Sequence, residues 1–150
     1  MNLIGVTLGE PAGIGPDLGV LLAQKNLGKN IIFIVDPDLL IKSAKILKKK
    51  ININILENIS SRKKSGDKVI NVLPIMLNNR NIPGKLNPKN SSYVLDTIKT
   101  AAELCVSNEI SAMVTGPISK SVLNKGGYKI SGHTEFLADI CKSKSVMMLM

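Results

Sequence analysis

Short runs of aliphatic and β-branched residues alternate along this chain with longer stretches whose apolar positions recur at helical spacing, and this alternation restricts the fold more than any other feature. Leu3 to Leu8 and Ile31 to Val35 read as strands buried on both faces, as the strands of parallel sheets are. Ile51 to Leu56 alternates Ile with Asn, which puts Ile51, Ile53 and Ile55 on one side of a half-exposed strand. Val69 to Leu77 is a further strand candidate interrupted by Pro74, Ala112 opens another that breaks at Gly116-Pro117, and Val146 to Met150 reads as the start of a buried strand. Helices are expected from Pro16 to about Gln24, Pro37 to about Lys48, Tyr93 to about Val106, from Pro117 onward, and from about Glu135 to Cys141. In the Tyr93 helix Val94, Ile98, Ala101, Ala102 and Cys105 keep the helical repeat opposite Asp96, Lys99 and Glu103, and Ser92 is placed to cap it. The succession predicts a layered α/β/α domain with a mostly parallel sheet. Ligands of such sheets bind beyond the carboxyl ends of the strands.

The 150 residues suffice for one modest domain, and 44% of them are hydrophobic. With no Trp, two Phe and two Tyr, the core must be built from Ile, Leu, Val and Met. A formal charge of +9 invites a nucleic-acid partner, but of the 20 basic residues only Arg62 and Arg80 are arginine, and aromatic stacking groups are scarce. Recognition of bases and phosphates leans on both, so no nucleic-acid role is expected. Cys105 and Cys141 are isolated thiols without metal-type spacing, which suits a reducing interior. Met1 to Leu8 lacks the cationic start of a signal peptide and no apolar run reaches membrane-spanning length, so the expected location is the cytoplasm. Val146 to Met150 would leave five apolar residues at the end of the chain, which suggests a truncated domain.

Three stretches carry the chemistry. Gly9-Glu10-Pro11-Ala12-Gly13-Ile14-Gly15-Pro16-Asp17 is a stiff loop between strand and helix whose spacing matches neither the P-loop nor the dinucleotide fingerprint. Asp17 would repel an anion at that helix start, so the loop reads as a shaped wall, with Glu10 either facing a ligand or standing in water. Gly116-Pro117-Ile118-Ser119-Lys120 leaves the next helix start without an acid and with Ser119 and Lys120 in reach, a possible seat for phosphate or carboxylate. His133, the single histidine, lies in Gly132-His133-Thr134-Glu135 and is a candidate for acid/base or ligand-orienting work, or alternatively a helix-start residue filling a gap. The long Asn78 to Asn90 segment, rich in Asn and holding two prolines, is long enough to wrap or insert.

Taken together, TLGEPAGIGPD, VTGPISK and GHTEFLA, in this order, resemble the 4-hydroxythreonine-4-phosphate dehydrogenase family of pyridoxal phosphate biosynthesis. The resemblance covers the whole chain as the N-terminal portion of a two-lobed enzyme. It implies a fold similar to isocitrate and isopropylmalate dehydrogenases, a homodimer, NAD, and a divalent metal (Zn, Mg or Co). It also implies oxidation and decarboxylation of 4-phosphooxy-L-threonine to 3-amino-2-oxopropyl phosphate. His133 and Thr134 carry over as substrate-binding residues, with Lys120, Ser119 and Glu10 as cleft or anion-binding candidates. The family's metal ligands are histidines, which the resemblance places beyond Met150 together with most NAD contacts. The 150 residues alone are therefore expected to be inactive; the alternative is a non-catalytic phospho-ligand-binding domain, or a half-enzyme needing a separately encoded partner.

Overall fold

Five strands form one sheet in the computed structural model, which describes residues 3–25, 30–62 and 69–143. They are β1 (Ile4–Thr7), β2 (Ile31–Val35), β3 (Asn52–Ile55), β4 (Val69–Pro74) and β5 (Ala112–Thr115), in the spatial order β3-β4-β2-β1-β5 with every pairing parallel. The most apolar run, β2, sits at the centre, where Ile32, Phe33, Ile34 and Val35 are all buried. The Ile/Asn run, β3, takes an edge, and Asn54 donates from Nδ2 to Oδ1 of buried Asn71 on β4 at 2.7 Å. Polarity along these strands therefore sorts them from centre to rim.

The helices are α1 (Gly15–Ala23), α2 (Pro37–Ile46), α3 (Ser91–Val106), α4 (Lys120–Lys125) and α5 (His133–Ile140). The crossovers through α1 and α2 run one way across the sheet and the crossover through α3 runs the other way. With right-handed crossovers this places α1 and α2 on one face and α3 on the other. Contacts agree: α1 packs on α2, whereas α3 packs on α5 and on β1, β2 and β5. The main core joins Val6, Val20, Phe33, Leu40, Val72, Val94 and Ile98, and a smaller cluster joins Leu3, Ile32, Leu56, Ile59 and Ile110.

Asp36 fixes the top of β2. Its Oδ1 accepts from Asp38 N at 2.8 Å, capping α2 ahead of Pro37, while Oδ2 accepts from Leu77 N at 2.8 Å just past β4. Its own N–H donates to the Tyr93 hydroxyl at 3.1 Å, which ties the same corner to α3. Burial and the neighbouring Asp36 charge push the Tyr93 phenol well above its usual range, so it stays a neutral acceptor for that N–H.

Several boundaries differ from expectation. β4 stops at Pro74, which is its last paired residue, opposite Val35, because proline cannot extend the ladder. α3 starts at Ser91 directly out of a short 3-10 turn over Pro88–Asn90, so Ser92 lies inside the helix and does not cap it. α5 begins at His133, two residues earlier than expected. The expected strand Val146–Met150 lies outside the described residues.

Candidate functional site

Because β1 and β5 are neighbours, the loops leaving their carboxyl ends meet. Gly116 N donates to Thr7 O at 2.8 Å and Glu10 N donates to Pro117 O at 2.9 Å, so the Gly9–Asp17 loop and the Gly116–Lys120 turn are joined backbone to backbone. This close approach requires glycine. Gly9 adopts φ +70°, and a Cβ there would strike the backbone of Gly116 and Pro117; one on Gly116 would strike the backbone of Leu8.

The joint also corrects one expectation. The turn does not become helical at Pro117: its carbonyl is turned toward Glu10 N, from which it accepts, and α4 begins only at Lys120. Ser119 is the N-cap residue, with extended backbone (φ −103°, ψ 101°) and a carbonyl that accepts from Val122 and Leu123. Its hydroxyl lies 3.2 Å from that of Ser121 and makes no capping bond. The helix start therefore falls after Ser119 and not at Pro117.

Glu10 is 7% exposed, and its Oε1 accepts from Ala12 N at 3.2 Å. Burial raises its pKa above 4.5, partly offset by the Ala12 hydrogen bond. Its side chain thus stabilises its own loop. Lys120 is exposed and reaches Gly132: its Cε and Nζ both lie 3.4 Å from where a Gly132 Cβ would stand, and Glu135 Oε2 lies 3.0 Å from the same point. The missing side chain at Gly132 leaves the space in which Lys120 and Glu135 converge. Glu135 in this role was not singled out by spacing, although it lies in the same tetrapeptide.

His133 opens α5, with Thr134 half-buried behind it. Its Nε2 is buried and has no hydrogen-bond partner among the described residues, and burial lowers its pKa below 6.5. Burial thus favours the neutral ring, and leaves its Nε2 a dry polar atom without a partner among the described residues. The backbone of Ile130 donates to Asn124 Oδ1 at 3.2 Å, and Ser91 Oγ donates to Val122 O at 3.3 Å; these bonds hold the α4–α5 connection and the α4 turn in place. The turn chemistry thus brings Lys120, Glu135, His133 and Thr134 to one region, reached from Glu10 through Pro117.

The described residues contain no group of three or more His, Cys, Asp or Glu side chains that could hold a metal ion. The described residues therefore supply no multi-ligand donor set of the structural or catalytic zinc kind, and no chemical step is assigned to a metal on them. No described helix is long and apolar enough to cross a membrane.

The pattern of the family described as "Pyridoxal phosphate biosynthetic protein PdxA" matches residues 27–150. The chain is 42% identical to 4-hydroxythreonine-4-phosphate dehydrogenase of Methylococcus capsulatus over 96% of its own length and 44% of that protein. It is also 42% identical to the enzyme of that name from Wigglesworthia glossinidia brevipalpis over 100% of its length and 46% of that protein. The fold superposes on a crystal structure of a 4-hydroxythreonine-4-phosphate dehydrogenase from Burkholderia phymatum with a TM-score of 0.88 at 28% identity, covering 97% of this chain and 45% of that one. The chain thus spans a little under half the length of these relatives. By its pattern, its sequence identity and its fold, the chain belongs to the pyridoxal phosphate biosynthetic protein PdxA family.

Proposed function

We propose that this chain is the N-terminal portion of an NAD-dependent 4-hydroxythreonine-4-phosphate dehydrogenase, in which it forms one wall of the substrate cleft. The observation that carries the reading is the neutral, unpartnered Nε2 of His133, one residue beyond the glycine against which Lys120 lies. In this reading His133 and Thr134 hold the polar groups of a phosphorylated hydroxy amino acid. Lys120 neutralises its anionic end, with Glu135 on the other side of the space left at Gly132. Ser119 lines the turn beneath Lys120, and Glu10 keeps the adjoining loop in shape from inside. A neutral imidazole can accept a hydrogen bond from the substrate hydroxyl or donate one to its oxygen, fixing the alcohol for oxidation. The divalent metal and most NAD contacts belong, in this reading, to sequence beyond Met150, and the assembled enzyme is a cytoplasmic homodimer.

Residues 1–150 alone then bind no metal and form no NADH. The test is the intact mass of the native protein, together with an NADH assay using 4-phosphooxy-L-threonine, NAD and a divalent cation. A native mass about twice that of the 16.1 kDa chain, NADH formation by that protein, and its loss in His133→Ala would support the reading. NADH formation by residues 1–150 alone would overturn it. A native product of 150 residues that binds the substrate without oxidising it would instead favour a phospho-ligand-binding domain.

A further inference from the structure

The Gly9–Asp17 loop has a second flank, turned toward α2, and there residues 75–87 fold back over it. Asn81 donates from Nδ2 to Pro11 O at 2.9 Å and Gly84 N donates to Ala12 O at 2.8 Å, so this segment forms a roof. Between roof, loop and α2 lies a cavity of about 340 Å³, within the size range of small-molecule sites. Its walls are mostly apolar, from Pro11, Pro16, Leu39 and Pro83. Three polar features break that surface. Asn81 Oδ1 is buried and has no hydrogen-bond partner among the described residues. Lys42 and Lys45, one turn apart on α2, stand exposed at the rim and pair with no described acid. The hydroxyl of Ser43 donates to Asp17 Oδ1, which places a carboxylate, already engaged, on another part of the wall.

We propose that this cavity is a binding site for a compact, mostly apolar anion of the aromatic phosphate class, separate from the His133 cleft. The ring lies against the proline and leucine walls, where burial of apolar area supplies the attraction. A small shift of the roof on binding uncovers Asn81 Oδ1 to a hydroxyl or N–H on the ring, satisfying an acceptor that is otherwise costly to keep dry. The phosphate points out to Lys42 and Lys45, because Asp17 repels it from the other wall. This assignment does not depend on the dehydrogenase reading, since none of its residues belongs to the His133 cleft.

The test is calorimetric and NMR titration of the full chain with 4-hydroxyphenyl phosphate, with phenyl phosphate, phenol and inorganic phosphate in parallel. Saturable binding of 4-hydroxyphenyl phosphate below about 1 mM is expected, with phenyl phosphate weaker for lack of the donor and phenol and inorganic phosphate each much weaker. The double variant K42E/K45E should weaken binding at least about tenfold. The control K48E/K49E, exposed just past the end of α2 and outside the cavity, should leave it unchanged. Absence of saturation, equal affinity for inorganic phosphate, or equal loss in the two double variants would overturn the proposal. Thermal melts of both variants separate loss of binding from loss of fold, as the four lysines are exposed.

Discussion

Glu10 has given up most of its water for a single hydrogen bond from Ala12 N, and the two effects do not cancel. Its folded-state pKa lies above 4.5, so the folded protein binds more protons than the unfolded chain in the interval above that value. The stability contributed by protonated Glu10 is full below 4.5 and is lost as pH rises through the folded value. Glu10→Gln keeps an oxygen to accept from Ala12 N but cannot ionise. The melting temperature of E10Q relative to the parent should therefore climb from acid to neutral pH. His133 titrates with the opposite sign, its lowered pKa giving stability that is present above 6.5 and lost as pH falls, but it is common to both proteins and drops out of the comparison. Parallel melting profiles for E10Q and the parent across pH would show that Glu10 carries no such cost.

At the scale of elements, Asp36 and Tyr93 join four of them, β2, α2, β4 and α3, with few atoms. The backbone N–H of Asp36 is buried, and the Tyr93 hydroxyl is the acceptor it has been given. Tyr93→Phe preserves the ring packing among Val94, Leu95 and Ile98 and removes only that acceptor, leaving a buried donor unsatisfied. The expected cost is about 1–3 kcal/mol, read as a lower urea midpoint at unchanged slope; an unchanged midpoint would mean that the N–H finds another partner. Elements of this kind differ in how far local sequence announces them. β2 is recovered to the residue because an unbroken β-branched run is bounded on one side by Asp36-Pro37, whose capping role is equally local. The start of α4 is not recovered, because the Pro117 carbonyl is turned toward a backbone N–H from the first loop of the chain. The candidate site divides in the same way. A lone histidine beside a glycine is visible in the sequence, whereas the burial that keeps it neutral and the inward turn of Glu10 are set by packing between segments far apart. The folding of residues 75–87 over the first loop was legible only as a segment too long for a simple connection.

For the whole molecule, charge and apolar surface act against each other. The chain carries a formal +9, and Lys99–Glu103 at 3.9 Å is the one ion pair found among the described residues, so mutual repulsion between copies is weakly neutralised. Among the described residues the sheet nevertheless has an open edge at β5, and beside it lies an apolar groove of about 400 Å³ in which Leu18 is 48%, Leu21 43% and Val114 55% exposed. An open strand with apolar neighbours is a template for pairing with another chain. The balance turns on screening, because the Debye length shrinks from about 30 Å at 0.01 M salt to about 8 Å at 0.15 M. Residues 1–150 should therefore be monomeric at low salt and associate as salt is raised, measured by light scattering on a sizing column. Val114→Lys puts a cation on the edge itself, at an already exposed position, and should hold the protein monomeric at the higher salt without lowering its stability by more than about 0.5 kcal/mol. If V114K associates as readily as the parent, the contact lies elsewhere than at β5, and the apolar groove beside it is not the surface through which copies meet.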